Sequence, residues 1–133
     1  MSEKVFISHH SKDNELAKKL FAALKAQGFE PWLDELSVSA GADVQTAVLN
    51  ALKTSDAYIL VVGHGRIADP NILFEMGAAA GAGIPIIPII FPSGETPELL
   101  SKWSHIVTLR VPDAKTAAEK LRTILPIKRY RRT

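Results

Sequence analysis

The sequence contains no cysteine. Disulfides, zinc–thiolate centres and thiol nucleophiles are thereby excluded together, and a reducing compartment suits the chain. A membrane span is also missing. The longest apolar run, Met76 to Phe91, is broken by Gly81, Gly83, Pro85 and Pro88. No secretory leader opens the chain, because Met1-Ser2-Glu3-Lys4 runs straight into a strand-like segment, so a cytoplasmic protein is expected. Repeats and low-complexity linkers are absent too. A nucleic-acid stripe is not evident: the formal charge of +2 comes from Lys128, Arg129, Arg131 and Arg132. Without these four, 12 basic side chains face 14 acidic ones, a net −2. Neither nucleic acid nor a membrane is an expected partner.

What is present is one domain's worth of chain, 133 residues with 47% hydrophobic and 23% charged side chains. Strand and helix patterns alternate. Val5–Ser8 reads as a first strand. Ser11 reads as the N-cap of a helix, with Asp13 and Glu15 in its first turn beside the positive helix end. Leu16, Leu20, Phe21 and Leu24 form the apolar face of that helix, and Gly28 stops it. Phe29–Asp34 is a second strand, placed at a sheet edge by Pro31. A polar loop covers 35–42, and Val44, Ala47, Val48, Ala51 and Leu52 then stripe a second helix. Asp56–Val62 is a buried third strand. Asp69-Pro70 opens a third helix, Ile84–Phe91 is a fourth strand, and Ile106–Leu109 a fifth. Pro88 suits a central strand only with a bulge. The last helix buries Ala117, Ala118, Leu121, Ile124 and Leu125.

Five strands with helical crossovers predict an α/β, flavodoxin-like three-layer fold, a parallel sheet of order 2-1-3-4-5 flanked by helices. Residues 1–126 make up the domain, and 127–133 a basic tail or linker. Ligands of such sheets bind beyond the carboxyl ends of the strands, where the loops start at Ser8, Asp34 and Gly63. Ser8 and Asp34 are suited equally to turn chemistry and to ligand contact. Trp32 is expected to pack on the first helix, and Trp103 on the surface.

Two motif readings fail. Gly63-His64-Gly65-Arg66-Ile67-Ala68 matches a dinucleotide fingerprint in letters, but the helix starts after it and no acid follows about twenty residues later, so the glycines serve a turn. A phospho-receiver needs acids where this chain has Ser8-His9-His10 and Gly63-His64. No metal site is expected either, because adjacent His9 and His10 point apart in an extended segment.

One charge is out of place. Glu75 is the only ionisable side chain from Pro70 to Gly94, in a helix apolar on nearly every face. Either it reaches solvent at the rim of the sheet, or it faces a cleft where Leu73, Phe74 and Met76 would desolvate it and favour its neutral form. On either reading it is the best candidate for a chemical role.

Phe6-Ile7-Ser8-His9, Ser11-Lys12-Asp13 and Gly28-Phe29-Glu30-Pro31-Trp32-Leu33-Asp34 resemble the opening of a Toll/interleukin-1 receptor (TIR) domain of the bacterial type. Ala40-Gly41 resembles the end of that family's BB loop. Pro85-Ile86-Ile87-Pro88-Ile89 resembles its fourth strand, and Asp69 to Gly77 its glutamate-bearing helix. The resemblance spans roughly residues 4–125. It implies either an NAD+ nucleosidase, yielding nicotinamide and ADP-ribose or a cyclic isomer as a bacterial antiviral defence effector, or a non-enzymatic signalling scaffold. For the enzyme it implies Glu75 as catalytic residue. Ser8, His9, His10, Asp34, Leu36, Gly41, Asp43 and Asn71 would line the NAD+ cleft. NAD+ would be a substrate, and no cofactor or metal is implied. The expected partners are other TIR domains, joined head to tail, and a sensor or effector domain following residue 133. The chain departs from the enzymatic pattern in having Asn71 where an aromatic is common, His9-His10 where an arginine is common, and no aromatic near Asp43.

Overall fold

The computed structural model describes residues 3–33, 44–65, 70–96, 106 and 108–125. Its five strands are β1 (Lys4–His9), β2 (Glu30–Trp32), β3 (Ala57–Val62), β4 (Ile86–Ile90) and β5 (Leu109–Arg110). All pair in parallel, in the order β2-β1-β3-β4-β5 predicted from the sequence. The helices are α1 (Asn14–Ala26), α2 (Val44–Thr54), α3 (Pro70–Gly81) and α4 (Ala114–Ile124). Every residue of β3 and β4 is buried, as expected of central strands covered on both faces.

Side-chain alternation along the strands divides the core into two clusters. Val5, Ile7, Ile59, Val61, Ile87 and Ile89 meet Ala17, Leu20 and Leu24 of α1 and Ala117, Ala118 and Leu121 of α4. On the other face Phe6, Tyr58, Leu60, Val62, Ile86 and Ile90 meet Val48 and Leu52 of α2 and Ile72, Met76 and Ala79 of α3. Each fully buried leucine among these stabilises the fold by about 1.5–3 kcal/mol relative to exposure. Gly28, at φ +88°, ends α1 in the left-handed conformation anticipated for it.

The two strand prolines sit where the ladder does not need their missing N–H. Glu30 N–H donates to Glu3 C=O at 2.8 Å, so by alternation the Pro31 nitrogen faces the open edge. In β4, Phe91 N–H donates to Val62 C=O and Ile90 C=O accepts from Val111 N–H. Pro88 therefore addresses the β5 side, where pairing begins only at Ile89 and Leu109. The predicted bulge is not there, and the register runs unbroken from Tyr58 and Ile86 to Val62 and Ile90.

Other expectations shift. The fifth strand is Leu109–Arg110 rather than Ile106–Leu109, and Ile106 instead packs against the α2/α3 cluster. Ser11 opens a 3-10 turn (Ser11–Asp13) whose cap is His10, with Lys12 N–H donating to His10 Nδ1 at 3.1 Å. Trp32 packs on Phe6 in the α2/α3 cluster, not on α1, because one residue along an edge strand changes the face. Trp103, the helix cap Asp69, the loop 35–42 and the tail 127–133 lie outside the described residues. Among those described, no helix is long and apolar enough to cross a membrane.

Arg122 closes the fold at its amino-terminal edge. Its guanidinium donates to Glu3 Oε1 at 2.6 Å and to the carbonyls of Gln27 and Leu125, and lies 4.1 Å from the centroid of the Phe29 ring. The Arg122 hydrogen bond holds the Glu3 carboxyl below its ordinary value of 4.5. A lowered folded-state value stabilises the protein above that ordinary value, and the contribution is lost as pH falls through the folded one. Glu3→Gln should therefore lower Tm at pH 7 by about 2–5 °C, the equivalent of about 0.5–1 kcal/mol for a partly exposed pair. The difference should shrink as pH falls below that ordinary value; thermal melts showing a gap that stays constant as the solution is acidified would contradict the assignment.

Candidate active site

Glu75 lies on the flank of α3 rather than on its sheet-facing stripe. Ile72, Met76 and Ala79 are buried against the sheet, while Leu73 and Phe74 are 44% and 54% exposed. Glu75 falls between the two sets and is half-buried. Of the three neighbours expected to desolvate it, only Met76 is in the core. Its partners come from the strands beneath. Ser8 Oγ donates to Glu75 Oε1 at 2.7 Å, and the Tyr58 hydroxyl donates to the same oxygen at 3.2 Å. Both hydroxyls sit on residues facing the α2/α3 side, Ser8 two positions after Phe6 and Tyr58 in register with Phe6. Ser8 is 4% exposed and Tyr58 0%. The two donors restrict the rotation of the carboxylate.

Of the residues singled out in the sequence, Ser8 thus contacts Glu75 directly. Asn71 lies one helical turn before Glu75 and is exposed. His9 and His10 do not join them. His9 Nε2 lies 2.7 Å from Asn14 Oδ1 at the start of α1, and His10 caps the 3-10 turn. Asp34, Leu36, Gly41 and Asp43 lie outside the described residues. Tyr58 was missed, since an aromatic inside a continuous apolar strand reads as core. The available signal was that a buried tyrosine hydroxyl needs a polar partner, and Glu75 is the one acid on the helix following that strand.

A second polar cluster occupies the opposite face. Asp13, expected in the first turn of a helix as a dipole partner, is instead 2% exposed. It accepts from Gly63 N–H at 3.1 Å, and its other oxygen lies 2.6 Å from His64 Nδ1. The carboxylate thereby ties the start of α1 to the loop after β3. A Cβ at position 63 would fall 2.5 Å from Asp13 Oδ1 and 2.7 Å from Leu16 Cδ2, so a larger residue there would push the Asp13 carboxylate and Leu16 aside. Gly65, at φ +55°, forms an isolated parallel bridge with Gly94, its N–H donating to Ser93 C=O and its C=O accepting from Glu95 N–H. Beside this cluster an open cleft of about 460 Å³ is lined by Lys12, Asp13, Leu16, His64, Pro92 and Asp113 among others.

The two clusters differ in chemistry. Asp13 spends its lone pairs on a backbone amide and an adjacent imidazole, an arrangement that fixes a loop. Glu75, on a helix flank, accepts from the hydroxyls of Ser8 and Tyr58. A carboxylate so placed can stabilise a positive charge developing next to it and can accept hydrogen bonds from sugar hydroxyls. No group of three or more histidine, aspartate or glutamate side chains is gathered for a metal among the described residues.

Comparison with known proteins agrees with this architecture. The fold resembles the Clostridium botulinum CMP N-glycosidase BcmB, with a TM-score of 0.62, 20% identity, and coverage of 90% of this chain and 98% of that one. It also resembles a metazoan TIR-STING receptor from C. gigas, solved with 2',3'-cGAMP, with a TM-score of 0.63 and 17% identity over 90% of this chain and 38% of that one. A third likeness is the TIR domain of the Toll-related receptor TRR-2 from Hydra magnipapillata, with a TM-score of 0.54 and 19% identity over 90% and 89%. At these identities the likeness establishes the fold. None of the curated proteins compared with the chain matches it in sequence. The TIR-domain family model matches residues 5–125, nearly the whole chain. The chain belongs to the TIR domain family.

Proposed function

We propose that this TIR domain is an NAD+ nucleosidase in which Glu75 is the catalytic residue. The observation that carries the reading is the Glu75 carboxylate, half-buried on α3 and anchored through Oε1 by Ser8 and Tyr58. The C. botulinum neighbour, a CMP N-glycosidase matched over 98% of its length, supports N-glycosidic chemistry on this fold. In the reaction, the bond between C1′ of the ribose and the pyridinium nitrogen breaks, and its electron pair leaves with neutral nicotinamide. The ribose is left as an oxocarbenium-like species, and Glu75 stabilises its charge. Water adds at C1′ and loses a proton to give ADP-ribose; attack by a hydroxyl or ring nitrogen of the same molecule gives a cyclic isomer. Because nicotinamide leaves uncharged, no general acid is required. NAD+ is thus consumed as substrate.

Nicotinamide release from NAD+ tests this directly. Glu75→Gln should lower kcat by about 10²–10³, the range for losing one electrostatic stabiliser of a transition state. Equal turnover by the variant would remove Glu75 from the mechanism. Cytosine release from CMP, with NAD+ left intact, would move the substrate from a dinucleotide to a pyrimidine nucleotide.

Assembly is the second part of the proposal. Leu36 and Val38 are apolar residues in the otherwise polar sequence stretch 35–42, and head-to-tail pairing of TIR domains through this stretch would complete the cleft. A small domain makes such a contact weakly, so a linked sensor or effector domain would raise the local concentration. Specific activity should climb across a hundredfold rise in protein concentration, and Leu36→Asp should abolish the climb with unchanged circular dichroism. A flat profile for the unaltered protein would contradict activation by assembly.

A further inference from the structure

Three aromatic rings lie in one row across the sheet. Trp32, Phe6 and Tyr58 are register partners on β2, β1 and β3. The Phe6 ring stacks on Trp32 at 4.9 Å and 15°, and on Tyr58 at 5.5 Å and 10°. Parallel strands place these side chains side by side, and α2 and α3 cover them. The Tyr58 ring is fully buried, so its orientation is set by the stack and the core around it. That orientation carries its hydroxyl to Glu75 Oε1, the oxygen that also accepts from Ser8.

We propose that Tyr58 is a positioning residue for the Glu75 carboxylate, a further residue of the reaction with no substrate contact of its own. The inference rests on the reading of Glu75 as catalytic. Two donors converging on one oxygen draw the negative charge to it and fix the plane of the carboxylate, which then meets the developing ribose cation without reorganising. A second donor, carried by a rigid ring, adds a fixed direction to the hydrogen bond from Ser8. The ring and the hydroxyl therefore have separable duties. The ring fills the core between Phe6 and α3, and the hydroxyl holds Glu75.

Tyr58→Phe separates them, since it keeps the ring and the stack and removes one oxygen. The variant should keep its circular dichroism and melt close to the unaltered protein. Its kcat for nicotinamide release should fall about tenfold with KM within about twofold, the pattern of a transition-state effect. The acidic limb of its kcat profile should move to higher pH, because the anion has lost a donor. A readout independent of turnover is the titration of the Glu75 side-chain carboxyl followed by 13C NMR. Its midpoint should rise in Tyr58→Phe, because the carboxylate loses the Tyr58 donor. An unchanged midpoint together with an unchanged kcat would overturn the proposal and leave Tyr58 as a core residue only. The underlying reading fails in a different way: Glu75→Gln would then turn over NAD+ like the unaltered protein. A raised midpoint beside that result would locate the hydrogen bond correctly and still refute its catalytic use.

Discussion

A carboxylate on a helix with no other charge has to find its hydrogen-bond donors elsewhere. In this protein that constraint links the sheet to the site. α3 supplies apolar residues to the core on one stripe and leaves Leu73 and Phe74 exposed on another. Glu75 lies at the border, and the strands below supply the donors, Ser8 from β1 and Tyr58 from β3. Because β1 and β3 are adjacent and in register, the two hydroxyls arrive together. Moving either strand by one residue would turn its hydroxyl to the opposite face and leave the carboxylate short of a donor.

The same sheet carries a second acid on its other face, and the contrast explains why only one of them is assigned chemistry. Asp13 is almost wholly buried and is satisfied by the Gly63 amide and the His64 imidazole. It joins the start of α1 to the loop that follows β3, and the absence of a Cβ at Gly63 makes that approach feasible. Breaking such a link would disturb the loop. Glu75 instead stands beside exposed helix surface, where a ligand can reach it. Burial with a backbone partner reads as architecture, and partial burial with side-chain hydroxyls reads as a site.

Much of this was legible in the residues. The runs Ala57–Val62 and Ile86–Ile90 are apolar throughout because both faces of a central parallel strand are covered, and Pro31 marked β2 as the edge. The solitary charge of Glu75 singled out the candidate site. What escaped depended on tertiary geometry. Pro88 needed no bulge, since β5 begins its ladder one residue later. Asp13 looked like a helix-end acid because nothing local reveals a loop fifty residues away that offers it an amide. Trp32 was assigned to the wrong face because a three-residue strand gives too short an alternation to set its phase. Tyr58 was hidden by its own burial: within a continuous apolar strand, one hydroxyl does not alter the pattern.

The proposed function requires the nicotinamide ribose to sit over the α3 flank of the sheet, against the side chain of residue 75. A crystal structure of Glu75→Gln with NAD+ bound tests it most directly. The account predicts C1′ of that ribose about 3.5 Å from the side chain at position 75, within reach of Ser8. NAD+ lying instead in the cleft beside Asp13 and His64, on the opposite face of the sheet, would contradict it.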